Sequence, residues 1–190
     1  VLQEFSVTAT ENVLLAAALI PETTVIKIAA AEPHVQDVCA VLQKMGVALQ
    51  GVGTHTLTVK GCATLTGFRH TIIPDQIEVG TMAVIAALTH GTVRIAHVVP
   101  EHLDMVLLKL RSIGVPYSLQ REVLEIQHSS QALHAFRVQT LPYPGFPTDM
   151  QAPFGVLATQ CTGTSLIQDP LYEGRMGYVH ELVKMGANAI

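Results

Sequence analysis

Almost uninterrupted apolar stretches alternate along the chain with amphipathic ones. Val13–Ile20 and Val79–Leu88 are apolar on nearly all sides, which predicts helices that other elements enclose. Apolar residues recur at three- and four-residue spacings in another stretch, at Val35, Val38, Val41, Leu42 and Met45. That period predicts an amphipathic helix, and Gly46 is suited to the left-handed conformation that ends a helix.

Strict alternation of apolar and polar residues marks the predicted strands. The strings "THTLTVKG" and "REVLEIQH" alternate in this way, which is typical of strands with one wet face. Two hairpins are therefore expected, Val47–Lys60 and Tyr117–Gln127. The overall class is mixed α/β (α+β), with apolar helices inside and sheets outside.

The same order of features occurs three times. Each copy has an apolar helix, a short strand near a Thr-rich turn and an amphipathic helix, and the glycines that end the amphipathic helices are Gly46, Gly114 and Gly186. Such self-similarity indicates a repeated supersecondary unit. The third copy lacks its second hairpin strand, so we expect either that Val1–Phe5 supplies it or that the chain is a piece of something longer.

Composition narrows the function classes. The chain has 190 residues, of which 49% are hydrophobic and 14% charged, and its net charge is −4 without a basic stripe. This argues against nucleic acid or an anionic membrane as a partner. The apolar runs are about half the ~20 residues of a membrane span, so we expect a soluble globular protein.

Cysteine and histidine usage points to a protein without metal or disulfides. Cys39, Cys62 and Cys161 are odd in number and widely spaced, which favours a reducing cytoplasm. Nine histidines are present, but none has the spacing of a zinc motif. We therefore expect no metal and no cofactor.

One carboxylate stands in an unusual setting. In "LPYPGFPTDMQAPFG", three prolines precede Asp149, and an apolar helical run follows it. Because proline fixes φ, the stretch predicts a stiff segment that holds Asp149 at the start of a helix. The residues alone leave two interpretations open, a helix cap and a catalytic acid or base.

Five strings carry a family resemblance: "SVTATENVLLAAAL", "AAAEPHV", "IIPDQIEVGT", "PYPGFPTDMQA" and "YEGRMGYVHELVKMGAN". Together they closely resemble the middle of the MurA family, the UDP-N-acetylglucosamine enolpyruvyl transferases of bacterial cell-wall synthesis. The shikimate-pathway enolpyruvyl transferases share the repeat but not the "FPTDMQA" motif. The resemblance implies an inside-out α/β barrel in each of two domains, with the active site in the cleft between them. Residues 1–68 would form one unit of the first domain, and residues 69–190 two units of the second, the last of them incomplete.

The resemblance also implies roles for individual residues. Asp149 matches the aspartate to which the family assigns general-base catalysis. Ser6 and Val7 match residues that contact the uridine diphosphate, and Leu171 and Tyr172 match the pair that lines the sugar pocket. Arg175 matches the arginine of the family's ENR motif, here "EGR". Several positions depart from the family pattern: Glu4, Thr8, Ala31, His34 and Gln76.

Two functions of different class follow. The first is a portion of an enolpyruvyl transferase that moves the enolpyruvyl group of phosphoenolpyruvate to the 3-hydroxyl of UDP-N-acetylglucosamine in peptidoglycan synthesis. The isolated chain is expected to be inactive, because the family's cysteine loop and several of its cationic residues match no position here. The second is a stand-alone, non-catalytic domain of three units that binds a ligand or a partner. If the chain is part of a longer protein, we expect either self-association or the missing segments to cover the surfaces that the isolated chain leaves bare.

Overall fold

The computed structural model describes all 190 residues and divides into two compact units, Val1–Ile73 and Pro74–Ile190. Each unit has its own apolar core. The assignment of the units to the two domains of a family, with a boundary at residue 68, stays a prediction. None of the helices is both long and apolar enough to cross a lipid bilayer.

The first unit contains two helices and a three-stranded antiparallel sheet. Its elements are α1 (Val7–Ala17), β1 (Thr23–Lys27), α2 (Pro33–Lys44), β2 (Ala48–Gln50) and β3 (Thr56–Lys60). The strand order is β1-β3-β2, with Val25 opposite Thr58 and Leu49 opposite Val59. On α2, Val35 and Leu42 of the predicted apolar face are buried, whereas Val38, Val41 and Met45 are partly buried.

The second unit begins with the same arrangement. Its first five elements are α3 (Gln76–Leu88), β4 (Val93–Ala96), α4 (Asp104–Ile113), β5 (Tyr117–Gln120) and β6 (Val123–Ile126). The strand order is β4-β6-β5, and both pairings are antiparallel. This order repeats that of the first unit element by element, which confirms the predicted α/β fold built from similar units.

The remaining elements of the second unit are β7 (Leu133–His134), β8 (Arg137–Gln139), α5 (Gln151–Ala158), β9 (Cys161–Thr162), β10 (Leu166–Gln168) and α6 (Tyr178–Lys184). The elements from α5 onward lie in the segment predicted as the third copy. Strand β9 pairs in parallel with β7, and β10 pairs in parallel with β8. The third copy therefore finds its strand partners in residues that precede α5.

The suggestion that Val1–Phe5 completes the third copy is wrong. The Leu2 N–H donates to the Lys27 carbonyl at 3.0 Å, so this segment lies beside β1 in the first unit. The terminus is held by the strand nearest to it in sequence.

The glycines that end the amphipathic helices have the predicted conformation. Gly46, Gly114 and Gly186 have φ of 103°, 96° and 94°. These left-handed values are costly for a residue with a Cβ, which explains why glycine recurs at this point of each copy.

The apolar helices are enclosed on one side only, whereas the sequence predicted enclosure on all sides. Leu14 and Ala17 of α1 are buried, but Leu15 is 55% exposed. On α3, Ala83 is buried while Ile85 is 47% exposed. A uniformly apolar helix carries no information about which face will be covered, so the pattern overestimated the burial.

Candidate active site

The proline-rich stretch before Asp149 closes on itself and is anchored in the core. The Leu141 N–H donates to the Phe146 carbonyl at 3.0 Å. Phe146 is 1% exposed and packs edge-on against Phe154 of α5, with ring centroids 4.9 Å apart. These contacts position the 3-10 turn Thr148–Met150 that leads into α5.

Asp149 does not cap the helix that follows it. The cap position of α5, Met150, makes no side-chain hydrogen bond to the helix. Instead the Asp149 carboxylate is 60% exposed and accepts a hydrogen bond from Arg175 Nη1 at 2.7 Å. The Arg175 guanidinium also lies over the Tyr172 ring, 4.6 Å from its centroid. Three of the residues singled out from the sequence thus lie together at the surface of the second unit.

The ion pair between Asp149 and Arg175 is accessible to ligands. The hydrogen bond to Asp149 is the main cause that raises the pKa of Arg175, so the guanidinium remains charged. A solvent-exposed pair of this kind contributes about 0–1 kcal/mol to stability. An anionic or hydroxyl-bearing ligand could therefore compete for either partner at little cost.

Beneath this pair, Asp169 accepts three hydrogen bonds. Its Oδ1 accepts from the Thr140 hydroxyl at 2.6 Å and from the Leu171 N–H at 3.0 Å. Its Oδ2 accepts from the Thr148 hydroxyl at 2.5 Å. The same Thr148 oxygen accepts a hydrogen bond from Arg175 Nη1 at 3.2 Å. Asp169 therefore connects the Asp149 turn with the segment that carries Leu171.

The hydrogen bonds keep Asp169 ionised. Burial by itself would raise the pKa of this carboxyl, but the bonds from Thr140, Thr148 and Leu171, together with the Arg175 charge, outweigh burial and lower the pKa below its ordinary value. An ionised carboxylate only accepts hydrogen bonds, so each of its three donors is held in one orientation.

Ser6 and Val7 belong to the first unit. Ser6 is the N-cap of α1, and its hydroxyl oxygen accepts from the Ala9 N–H at 3.2 Å. Val7 is partly buried and packs against the core of that unit. The observed contacts of both residues are structural, and their proposed role toward a nucleotide stays a prediction.

The residues that depart from the family pattern lie in different settings. Glu4, Thr8 and His34 are exposed, whereas Ala31 and Gln76 are buried.

No group of three or more histidine, cysteine, aspartate or glutamate side chains is placed so that it could hold a metal ion.

Comparison with known proteins places the chain in a family. The family model for EPSP synthase (3-phosphoshikimate 1-carboxyvinyltransferase) matches residues 2–190. The chain belongs to the EPSP synthase family. This agrees with the resemblance in the sequence, because both groups of enolpyruvyl transferases share the repeated unit.

Proteins named for an enolpyruvyl transfer reaction resemble the chain over nearly all of its length. A UDP-N-acetylglucosamine 1-carboxyvinyltransferase of Prochlorococcus marinus (strain MIT 9313) is 43% identical over 183 residues, which are 96% of this chain and 42% of that protein. The enzyme of the same name from Helicobacter pylori (strain ATCC 700392 / 26695) is 43% identical over 97% of this chain and 44% of its own length. The chain thus spans less than half the length of these relatives.

A solved structure supports the fold. The enolpyruvyl transferase NikO from Streptomyces tendae superposes with a TM-score of 0.79 over 93% of this chain and 42% of its own, at 22% sequence identity. At this identity the likeness concerns the fold alone.

The sequence did not reveal the hydrogen-bonding group around Asp169. Thr148 lies in the "FPTD" string itself and could have been singled out, but Asp169 and Thr140 are ordinary polar residues at the ends of short strands. No spacing or composition indicates that Asp169 meets two threonines that are 29 and 21 residues away.

Proposed function

We propose that this chain is part of an enolpyruvyl transferase that moves the enolpyruvyl group of phosphoenolpyruvate to the 3-hydroxyl of UDP-N-acetylglucosamine. The identity of 43% to proteins named for that reaction supports the substrate pair. The name of a relative states its own reaction, so activity of the full-length enzyme is what must be measured. By full-length enzyme we mean a protein of the relatives' length that contains this chain.

The observation that carries the proposal is the setting of Asp149. It lies on an anchored turn, exposes 60% of its side chain and touches one cation, Arg175, at 2.7 Å. A base on a rigid turn loses little freedom when it meets a substrate, which is what efficient proton transfer requires.

In the proposed reaction Asp149 takes the proton of the sugar 3-hydroxyl while that oxygen attacks C2 of phosphoenolpyruvate. The C2–C3 double bond gains a proton at C3, and a tetrahedral adduct results. Loss of phosphate from C2 and of a proton from C3 then restores the double bond in the product. The side chains of this chain are assigned only the first proton transfer and the contacts with the sugar.

Arg175 has the chemistry of an anion-binding residue in this scheme. Its planar guanidinium is stacked on Tyr172 and has donors beyond the one that Asp149 uses. Leu171 and Tyr172 would form the wall of the sugar pocket, and Ser6 and Val7 would meet the uridine diphosphate. The multiply charged adduct needs more than one cation, so we expect the isolated chain to release no phosphate.

The test is phosphate release by the full-length enzyme from phosphoenolpyruvate with UDP-N-acetylglucosamine, and in parallel with shikimate 3-phosphate. We expect turnover with the sugar nucleotide only. The variant Asp149→Asn should lower kcat by about 10²–10⁴-fold, the usual contribution of a general base. The matched control is Glu181→Gln, which removes another exposed, ion-paired carboxylate. Turnover with shikimate 3-phosphate alone, or an Asp149→Asn enzyme as fast as the control, would overturn the proposal.

A stand-alone binding domain is not favoured, since relatives that are 43% identical to the chain are named as transferases. We propose a cytoplasmic location for the reaction, which the three free cysteines support. Nucleic acid and membranes are not among the proposed partners.

A further inference from the structure

Both carboxylate oxygens of Asp169 accept hydrogen bonds, and the donors come from different segments of the chain. Oδ1 accepts from Thr140 at 2.6 Å and from the Leu171 N–H at 3.0 Å, next to the proposed sugar pocket. Oδ2 accepts from Thr148 at 2.5 Å, next to the proposed base. A single carboxylate thus connects the two parts of the proposed site.

The bond to Thr148 also decides what Thr148 can do for Arg175. A hydroxyl has one proton, and Asp169 accepts it, so the Thr148 oxygen presents a lone pair to its other neighbour. That neighbour is Arg175 Nη1, which donates to Thr148 at 3.2 Å and to Asp149 at 2.7 Å. The guanidinium is thereby held between the Thr148 hydroxyl and the Asp149 carboxylate.

We infer that Asp169 is a positioning residue for the proposed transfer: it orients Arg175 and Asp149 through Thr148, and it sets the Leu171–Tyr172 segment through the Leu171 amide. The catalytic part of this inference rests on the proposed function. The geometric part, that Asp169 orients Arg175 through Thr148, can be tested without measuring turnover. Asp169 itself is not a catalytic residue.

Thr140 and Thr148 form a matched pair for the test. Each gives one hydroxyl hydrogen bond to Asp169, but only Thr148 also contacts Arg175. If Asp169 merely stabilised the fold, Thr140→Val would have at least as large an effect as Thr148→Val, because Thr140 is fully buried and Thr148 is partly exposed. If Asp169 positions the site, only Thr148→Val breaks the connection to Arg175.

The first measurement is nuclear magnetic resonance of the 190-residue chain. The Tyr172 ring lies 4.6 Å from the Arg175 guanidinium carbon and should shift the side-chain proton signals of Arg175. Thr148→Val and Asp169→Ala should move these signals toward those of a free arginine, whereas Thr140→Val should leave them in place. Equal changes in the two valine variants would overturn the inference, as would no change in Asp169→Ala, because Thr148→Val also removes the direct hydrogen bond from Arg175 to Thr148.

The second measurement is the kinetics of the full-length enzyme. Misplacement of a reacting group by about 1 Å can cost about a hundredfold in rate. Thr148→Val and Asp169→Asn should therefore lower kcat by about tenfold to a hundredfold, and Thr148→Ser, which retains the hydroxyl, should restore most of it. Thr140→Val should stay within about twofold of the wild type, well below the losses expected from misplacement.

The two measurements separate the two proposals. If the wild-type enzyme fails to use UDP-N-acetylglucosamine, the proposed function fails, and the resonance of Arg175 still decides whether Asp169 positions it. If the enzyme turns over but Thr148→Ser is as slow as Thr148→Val, the positioning role fails while the function stands.

Discussion

At the scale of single residues, the candidate site is a short chain of charged and hydroxyl groups rather than one isolated carboxylate. Asp149 is exposed and paired, while Asp169 is partly buried and holds three donors. These two aspartates have the same side chain but different environments, so they should respond differently to substitution.

Stability should depend on Asp169 in mild acid. The folded pKa of Asp169 lies below the value of about 3.9 for a free aspartate. Its contribution to the free energy of unfolding is therefore complete above about pH 4 and is lost as the pH falls through the folded pKa. We expect Asp169→Asn to melt at a lower temperature than the wild type at pH 7, and the gap to narrow below pH 4.

Thermal melts of both proteins from pH 7 to pH 3, followed by circular dichroism, would measure this gap. The other carboxylates are present in both proteins, so their effects cancel in the difference between the two melting temperatures. A gap that stayed constant or widened in acid would contradict the assignment. Asp149→Asn is the control, because an exposed ion pair contributes only about 0–1 kcal/mol.

At the scale of elements, the periodic pattern located the helices and most of the strands. Helix α2 occurs where the three- and four-residue spacing predicted it, α4 is the amphipathic helix expected before Gly114, and the strands of both predicted hairpins occur within the expected segments. Strands β7 and β8 were missed because two or three residues are too few to show an alternation. They become strands only because α5 brings β9 and β10 alongside them.

The packing of α5 against α6 allows a test at one glycine. A Cβ on Gly155 would lie 2.2 Å from the Tyr178 hydroxyl oxygen and 2.6 Å from the ring, so Tyr178 would have to move. Overpacking of this kind costs about 1–3 kcal/mol, more than alanine gains over glycine in a helix, about 1 kcal/mol. We expect Gly155→Ala to destabilise the chain in denaturant unfolding.

Gly80 on α3 is the matched control. A Cβ there would press on the Cε and Sδ atoms of Met150, which are the end of a flexible side chain, and would touch Val106 Cγ1 at 3.5 Å, an ordinary contact distance. Gly80→Ala should therefore cost less than Gly155→Ala. Replacing Tyr178 by leucine should reduce the cost of Gly155→Ala, and an unchanged cost in that background would refute the packing explanation.

At the scale of the whole molecule, the main feature without a packing partner is the exposed apolar face of each of the helices α1 and α3. Leu15 and Leu19 at α1 are 55% and 56% exposed, and Met82 and Ile85 on α3 are 44% and 47% exposed. Apolar surface of this extent tends to mark a surface that another element or chain covers. The self-association expected from the sequence therefore stays a prediction with a defined location.

Light scattering coupled to gel filtration over a range of protein concentrations would test whether the isolated chain self-associates. We expect the apparent mass of the isolated chain to rise with concentration, and Leu15→Gln to reduce that rise. Leu108→Gln on the outer face of α4 is the control, because Leu108 is 54% exposed but belongs to an amphipathic helix. A monomer at every concentration, or equal effects of the two variants, would contradict the prediction.

The sequence by itself determined the features that depend on neighbouring residues. Apolar periodicity set the helices, alternation set the longer strands, glycine ended the amphipathic helices, and the prolines made the stretch before Asp149 stiff. These are local preferences of the backbone and of side-chain spacing, so they are visible in a short window. The repeat was visible in the sequence because the same local pattern of residues occurs more than once.

Only the tertiary structure decided which side chains meet. Arg175 reaches Asp149 from 26 residues away, and Asp169 reaches Thr140 from 29 residues away. The pairing depends on the path of the chain between them, which no local preference specifies. The covered faces of α1 and α3 were decided in the same way, because a helix that is apolar all round is compatible with burial of any face, and its packing partners select one.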